Sequence, residues 1–191
     1  MVISDEIFSH MVYEPYEHRS ISAIPEMRDR TIVIDTFSKT YMMTGWRVGW
    51  VVAPEPIIEM LSIFLQNIVT NVAAFVQKAA LAALTGSQDC VAQMVSTLRR
   101  KRDRLVEGLN RLPGIRCDYP AGAFYAFPDI RGTGMSSQQF TDYLMEEYGV
   151  AVVSGTAFGD RGEGYVRLTY AVPDEDIEEG LQRIEAAVRN L

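Results

Sequence analysis

Hydrophobic and polar positions along the chain change their period partway through. Residues 2–4 form a short apolar run closed by Asp5 and Glu6, and residues 31–35 (TIVID) form a β-branched run that reads as a buried strand. A polar, proline-containing stretch connects them, reaching Asp29 and Arg30. Residues 36–40 read as a polar loop, Thr44-Gly45 as a turn, and residues 48–52 as a third strand ended by Ala53-Pro54. The period then becomes helical. Pro56 suits the first turn of a helix, and Ile57, Leu61, Phe64, Leu65 and Ile68 recur at the spacing of one face. A second helix is expected over 72–84, ending at Thr85-Gly86. A third is expected over 88–112, with Val91, Met94, Val95, Leu98, Leu105 and Leu109 on one side.

Pro113-Gly114 breaks that helix, and residues 115–118 and 123–127 read as strands around the turn at Pro120-Ala121-Gly122. Ser136 or Ser137 is placed to cap a helix that carries Phe140, Tyr143, Leu144 and Tyr148 on one face. Residues 150–153 read as a strand, 154–159 as a loop of small residues, and 165–169 as an alternating strand. The last helix, over 173–190, turns Ile177, Leu181, Ile184 and Val188 inward. The order is strands, then long helices, then a β-β-α-β-β-α unit, with the boundary expected near 85–110. Three strands with no helices before them cannot cover both faces of a parallel sheet. The chain therefore reads as the C-terminal part of a longer protein.

Composition narrows the functional classes. With 18 Lys+Arg against 25 Asp+Glu, the net charge of −7 excludes an overall basic footprint for nucleic acid. Cys90 and Cys117 lack the spacing of a disulfide framework or zinc site, and read as reduced thiols of a cytoplasmic protein. His10 and His18 form no ligand pattern and read as surface or loop residues. No apolar run is long enough for a membrane span, and the opening MVISDEIF lacks the features of a signal peptide. The run Arg99-Arg100-Lys101-Arg102 reads as a solvated helix face. Lysine is scarce: Lys39, Lys78 and Lys101 are the only three.

Lys39 directly follows a buried-type strand, in a segment with hydroxyls at Thr36, Ser38 and Thr40. Loops at the carboxyl ends of strands are where α/β folds place ligands. An amine there can form an imine, while the hydroxyls and Arg47 can hold a phosphate. Asp5 also ends a strand, where its carboxylate can pair with a protonated ring nitrogen. Arg167 lies mid-strand on the face opposite to Val166 and Leu168, as a solvent-facing arginine or as a fork for a carboxylate.

SDEIF at 4–8 and DTFSKTYMMTGWRVG at 35–49 resemble the class I/II aminotransferases, pyridoxal-5′-phosphate (PLP) enzymes of fold type I. PAGAFYAF at 120–127, GTAFG at 155–159 and YVRLT at 165–169 continue the resemblance in the family's order, over nearly the whole chain. The resemblance implies an α/β fold: part of the large PLP-binding domain at 1–55, connecting helices at 56–110, and a small α+β domain at 111–191. It implies Lys39 as the Schiff-base lysine, Asp5 on the pyridine nitrogen, and Thr36 and Arg47 on the cofactor phosphate with Ser38 beside them. Arg167 falls to the α-carboxylate of the amino acid. Phe8 stands where the family carries a tyrosine bonding the ring hydroxyl, and Ser154 where a proline often precedes the glycine. Tyr13 fits the family pattern at its own position.

The implied activity is transfer of an amino group between an L-amino acid and a 2-oxo acid, by a ping-pong Schiff-base mechanism in a cytoplasmic homodimer. Residues around Thr70-Asn71 are expected near the dimer interface. The family runs to roughly twice this length, which implies an inactive C-terminal half. Two alternatives share the same motifs. One is another fold-type-I PLP enzyme, a carbon–sulfur lyase or synthase. The other is the aminotransferase-like effector domain of a transcription regulator.

Overall fold

The computed structural model describes all 191 residues. Strand β1 (Val2–Asp5) pairs in parallel with β2 (Thr31–Thr36), in the register Val2 to Thr31 through Asp5 to Ile34. Strand β3 (Gly49–Val52) pairs antiparallel on the other edge of β2, giving the order β1-β2-β3. In β2 the side chains of Thr31, Val33 and Asp35 are buried while Ile34 is exposed. That alternation is the two-residue period of a pleated strand.

The segment expected as a loop after β2 contains one helical turn, α1 (Phe37–Thr40). Thr36 causes it. With an extended backbone, φ −148° and ψ 151°, its hydroxyl accepts the Ser38 N–H at 3.1 Å and caps the turn. The turn is anchored by Phe37, buried with Met43, Val48, Val76 and Ala80. Three helices follow: α2 (Glu55–Ile68), α3 (Ala74–Thr85) and α4 (Asp89–Leu109). Helix α2 buries no residue fully, and Met60, Ile63, Phe64, Leu65 and Ile68 are exposed. Its period is helical, as the sequence predicts, but its apolar face has only partial cover. No helix is long and apolar enough to cross a membrane.

Two compact units divide within α4, at Met1–Val95 and Ser96–Leu191. In the second, strand β6 (Val166–Thr169) lies between β4 (Tyr125–Ala126) and β5 (Val153–Ser154), antiparallel to both. Helices α5 (Ser137–Tyr148) and α6 (Asp174–Arg189) complete it. Ser136 caps α5 in a reciprocal box with Gln139, and Gly149 ends it at φ 63°. Helix α4 approaches α6 so closely that a Cβ on Gly108 would lie 2.5 Å from a methyl of Leu181.

Expectations change here at three places, the first being the strand expected at 150–153, which is reduced to Val153–Ser154 with a 3-10 turn after it. Residues 115–118 form no strand beyond an isolated bridge from Arg116 to Asp129. The Asn110 side chain substitutes for a neighbouring strand, exchanging 2.8 Å bonds with both the N–H and the carbonyl of Cys117. Burial pushes the Cys117 thiol up to about 11. The basic run on α4 is a solvated face only in part: Arg99 and Arg100 are exposed, while Lys101 and Arg102 turn toward the protein. Arg100 makes a bidentate pair with Asp174, at 3.0 and 2.9 Å, and Lys101 donates to the Val172 carbonyl. Arg102 is buried, donating to the Pro120 carbonyl at 2.9 Å and to Asp103. Lys101 is half-buried rather than a surface lysine.

The loop after β5 is held by contact between two backbones. A Cβ on Gly162 would lie 1.9 Å from the Gly155 carbonyl oxygen, so only glycine permits the approach. Ser137, with no exposed surface, accepts the N–H groups of Gly164 (2.7 Å) and Tyr165 (3.1 Å) and donates to the Gly162 carbonyl. Replacing it with alanine strands the Gly164 N–H, at a cost of about 1–3 kcal/mol, while the Tyr165 N–H keeps its 3.2 Å bond to the Gly162 carbonyl. Ser137→Ala is therefore expected to lower the stability of the second unit by about 2 kcal/mol, measured as a shifted denaturant midpoint at unchanged slope.

Candidate active site

Because β1 and β2 run in parallel, their C-terminal ends lie side by side. Asp5, the last residue of β1, is exposed, and its Oδ1 accepts the Ile7 N–H at 3.3 Å. Asp35, near the end of β2, is buried. Its Oδ1 accepts the Thr36 N–H at 2.6 Å and its Oδ2 the Ser9 hydroxyl at 3.2 Å. The Ser9 bond ties the segment after β1 to the end of β2, holding the two loops together.

Lys39 sits in α1, half-buried, directly after β2. The Thr36 hydroxyl donates toward Ser38 Oγ and the Val48 carbonyl, both at 2.9 Å, so one side chain ends β2, starts α1 and holds β3. Arg47 lies between α1 and β3 with φ 52°, its Nη1 donating to the Thr44 carbonyl at 2.7 Å. Thr70, a β-branched residue, holds φ 67°. Residues held in this region are strained and cluster at ligand sites. Arg47 and Thr70 both line an open cleft of about 960 Å³, together with Asp35, Thr36 and Asn71. Its remaining wall is mainly apolar, from Ile58, Leu61, Leu65 and Leu84 among others, and neither Lys39 nor Asp5 lines it.

Thus Thr36, Ser38 and Lys39 share one turn, Arg47 shares a cleft with Thr36, and Asp5 ends the adjacent parallel strand. Arg167 belongs to the second unit. On β6, Val166 is buried while the Arg167 guanidinium carbon lies 4.4 Å from the Tyr125 ring centre and 4.6 Å from that of Phe158. Phe8 is half-buried and Tyr13 fully buried, while Ser154 pairs its hydroxyl with that of Thr156 at 2.8 Å.

Sequence reasoning missed Ser9, Asp35 and Glu6. Asp35 carries a readable signal, since it shares the alternation of Thr31 and Val33 and is therefore an acid on a buried strand face. Glu6 is buried beside Asp5 and accepts bonds from Ser4 (3.0 Å), Ser20 (2.7 Å) and His18 (3.0 Å). Burial pushes its carboxyl up, but the hydrogen bonds from Ser20, His18 and Ser4 outweigh it and leave the group below its ordinary value.

A family model described as aminotransferase class I and II matches residues 1–184. Aspartate aminotransferase of Pyrococcus horikoshii is 43% identical over 190 residues, covering 98% of this chain and 48% of that protein. Aromatic-amino-acid aminotransferase 2 of Thermococcus litoralis is 40% identical, covering 99% and 49%. Among solved structures, the aromatic aminotransferase of Pyrococcus horikoshii superposes with a TM-score of 0.96 at 42% identity, covering 100% of this chain and 51% of that one. A PLP-bound structure from Clostridium difficile gives 0.91 at 26% identity, covering 97% and 49%. The chain spans about half the length of the curated relatives it matches.

The Glu6 cluster makes a pH prediction. A carboxyl with a lowered folded value adds stability above its unfolded value and loses it as pH falls through the folded one. Glu6→Gln is expected to be less stable than the parent at neutral pH. The gap should close as pH falls below the ordinary glutamate value of 4.5, read from denaturant midpoints across pH 3–7 for both proteins.

Proposed function

Since the chain belongs to the class I and II aminotransferases, we propose that it is the C-terminal half of a PLP-dependent aminotransferase, inactive alone. The observation that carries this is the placement of Lys39. It follows the strand that runs parallel to the one ending in Asp5, with hydroxyls and an arginine on the same turn and loop. The length shared with relatives and the uncovered apolar face of α2 support the half-chain reading. On this reading residues 1–55 belong to the large domain, 56–110 to the connecting helices and 111–191 to the small domain.

The donor set suits PLP: one amine for its aldehyde, one acid for its ring nitrogen, and hydroxyls with a guanidinium for its phosphate. When bound, PLP supplies the electron sink that stabilises negative charge at the amino acid's Cα. The Asp5 carboxylate, exposed at a strand end, holds a proton on the ring nitrogen. The Thr36 hydroxyl is bonded to the Val48 carbonyl and to Ser38 Oγ, which fixes both hydroxyls on the turn where they would help hold the phosphate. Arg47, fixed by Thr44, adds a charge-assisted bond. The Lys39 amine would hold the cofactor through its aldehyde and would serve as the general base and acid at the substrate's Cα. Arg167 clamps the α-carboxylate of an L-amino acid.

Amino transfer to a 2-oxo acid then proceeds in two half-reactions. The active assembly is a cytoplasmic homodimer, with residues around Thr70-Asn71 near its interface. Relatives named for aspartate and aromatic amino acids share the α-carboxylate that Arg167 is assigned to read.

Borohydride reduction of the full-length protein with PLP, followed by peptide mapping, is expected to mark Lys39. Lys39→Ala should abolish both the label and amino transfer, and a label on another lysine with activity intact would overturn the assignment. Arg47→Ala is expected to weaken PLP binding about 10- to 100-fold, the worth of one charge-assisted bond, by fluorescence titration. The 191-residue chain alone should show no turnover.

A further inference from the structure

Many arginines of the second unit, among them Arg100, Arg102, Arg104, Arg131 and Arg183, are paired with a carboxylate, and Arg102 and Arg131 add a ring face to that pair. The Arg167 guanidinium, half-buried, lies instead over the faces of Tyr125 and Phe158. Aromatic faces attract a cation through the ring quadrupole and leave its N–H groups unengaged. A guanidinium held by ring faces keeps its donors for a carboxylate, which it can grip by two parallel bonds.

Both rings are themselves placed by the fold. Tyr125 is paired with Thr169, two residues from Arg167 on β6, so Tyr125 and Arg167 are diagonal neighbours on one sheet face. Phe158 ends the 3-10 turn Gly155–Phe158, whose start is fixed by the Gly155–Gly162 contact and by the Gly155 N–H bond to the Tyr165 carbonyl at 2.8 Å. Phe158 meets Phe127 edge-on at 6.0 Å, and Phe127 stacks on Tyr165 at 5.3 Å. Phe158 is nonetheless 52% exposed. The ring has two partners, the edge of Phe127 and the Arg167 guanidinium.

We propose that Tyr125 and Phe158 are positioning residues for the substrate carboxylate, holding the Arg167 fork in its binding plane without engaging its donors. This rests on the reading of Arg167 as the carboxylate arginine. A carboxylate partner in their place would compete with the substrate for the same N–H groups. Two rings orient the fork and leave it available.

The test uses the full-length enzyme with PLP bound. Phe158→Leu and Tyr125→Leu are each expected to raise the KM for the amino acid about 3- to 30-fold, the range a cation–π contact supports. PLP affinity should be unchanged and kcat at saturation should stay within about twofold. Phe158→Tyr and Tyr125→Phe should restore KM. Stepwise fluorination of the Phe158 ring keeps its shape while weakening its quadrupole, so KM should climb with each fluorine if the protein folds as before. A flat fluorination series, or an unchanged KM in both leucine variants, overturns the proposal. Arg167→Leu separates the two readings. A raised KM there with inert aromatic variants defeats only the positioning role, whereas an unchanged KM defeats the carboxylate reading and the proposal together.

Discussion

The geometry of the first unit depends on where β2 stops, and the Thr36 hydroxyl decides it. One oxygen accepts the Ser38 N–H, and its proton is directed at the Val48 carbonyl. The first bond turns the chain into α1, and the second holds the start of β3 against the end of β2. Lys39 is thereby carried on a turn with one entry and one exit, both fixed. Flexible lysines lose substantial side-chain entropy on ordering, so a rigid base under the amine matters more here than at an ordinary surface lysine. The Ser9–Asp35 bond performs the same service for the segment after β1, next to Asp5.

The second unit reaches rigidity by another route. Its sheet pairs only two to four residues per strand, too few to fix a site by ladder bonds alone. Side chains replace the missing ladder: Asn110 bonds both backbone groups of Cys117, and Ser137 gathers Gly162, Gly164 and Tyr165. The bidentate pair from Arg100 to Asp174 lies at the start of α6, where acids also suit the helix dipole.

Much of the fold was legible because it is periodic. The alternation of TIVID and the helical spacing along α3 to α6 declare their elements directly, and Ser136 announces the start of α5 by its capping box. Substitution of backbone partners by side chains was not legible. Nothing in residues 115–118 signals that Asn110 displaces a strand, and nothing in Arg99–Arg102 as a charge run signals burial of Arg102. Lys39, Asp5, Thr36 and Arg47 are candidates that strand ends and motif resemblance suggest, and the structure places Thr36 and Lys39 on consecutive elements. The Arg167 surroundings could not, because Tyr125 and Phe158 meet it only through a three-stranded register and a glycine contact. The apolar stripe of α2 was read correctly as a helix face, but that so much of it stays exposed was not legible.

Lysine scarcity acquires a chemical meaning from the fold. An aldehyde in solution condenses with any accessible amine, so selectivity is partly a matter of how many competitors the same molecule displays. Only three side-chain amines exist here, and Lys101 is fastened to the Val172 carbonyl. Lys78 is then the one exposed lysine set against Lys39. Arginine supplies nearly all the positive charge, and its guanidinium, protonated at every physiological pH, forms no such condensate. Within these 191 residues, then, a carbonyl compound meets few competing amines, while arginine keeps the ion pairs of the fold.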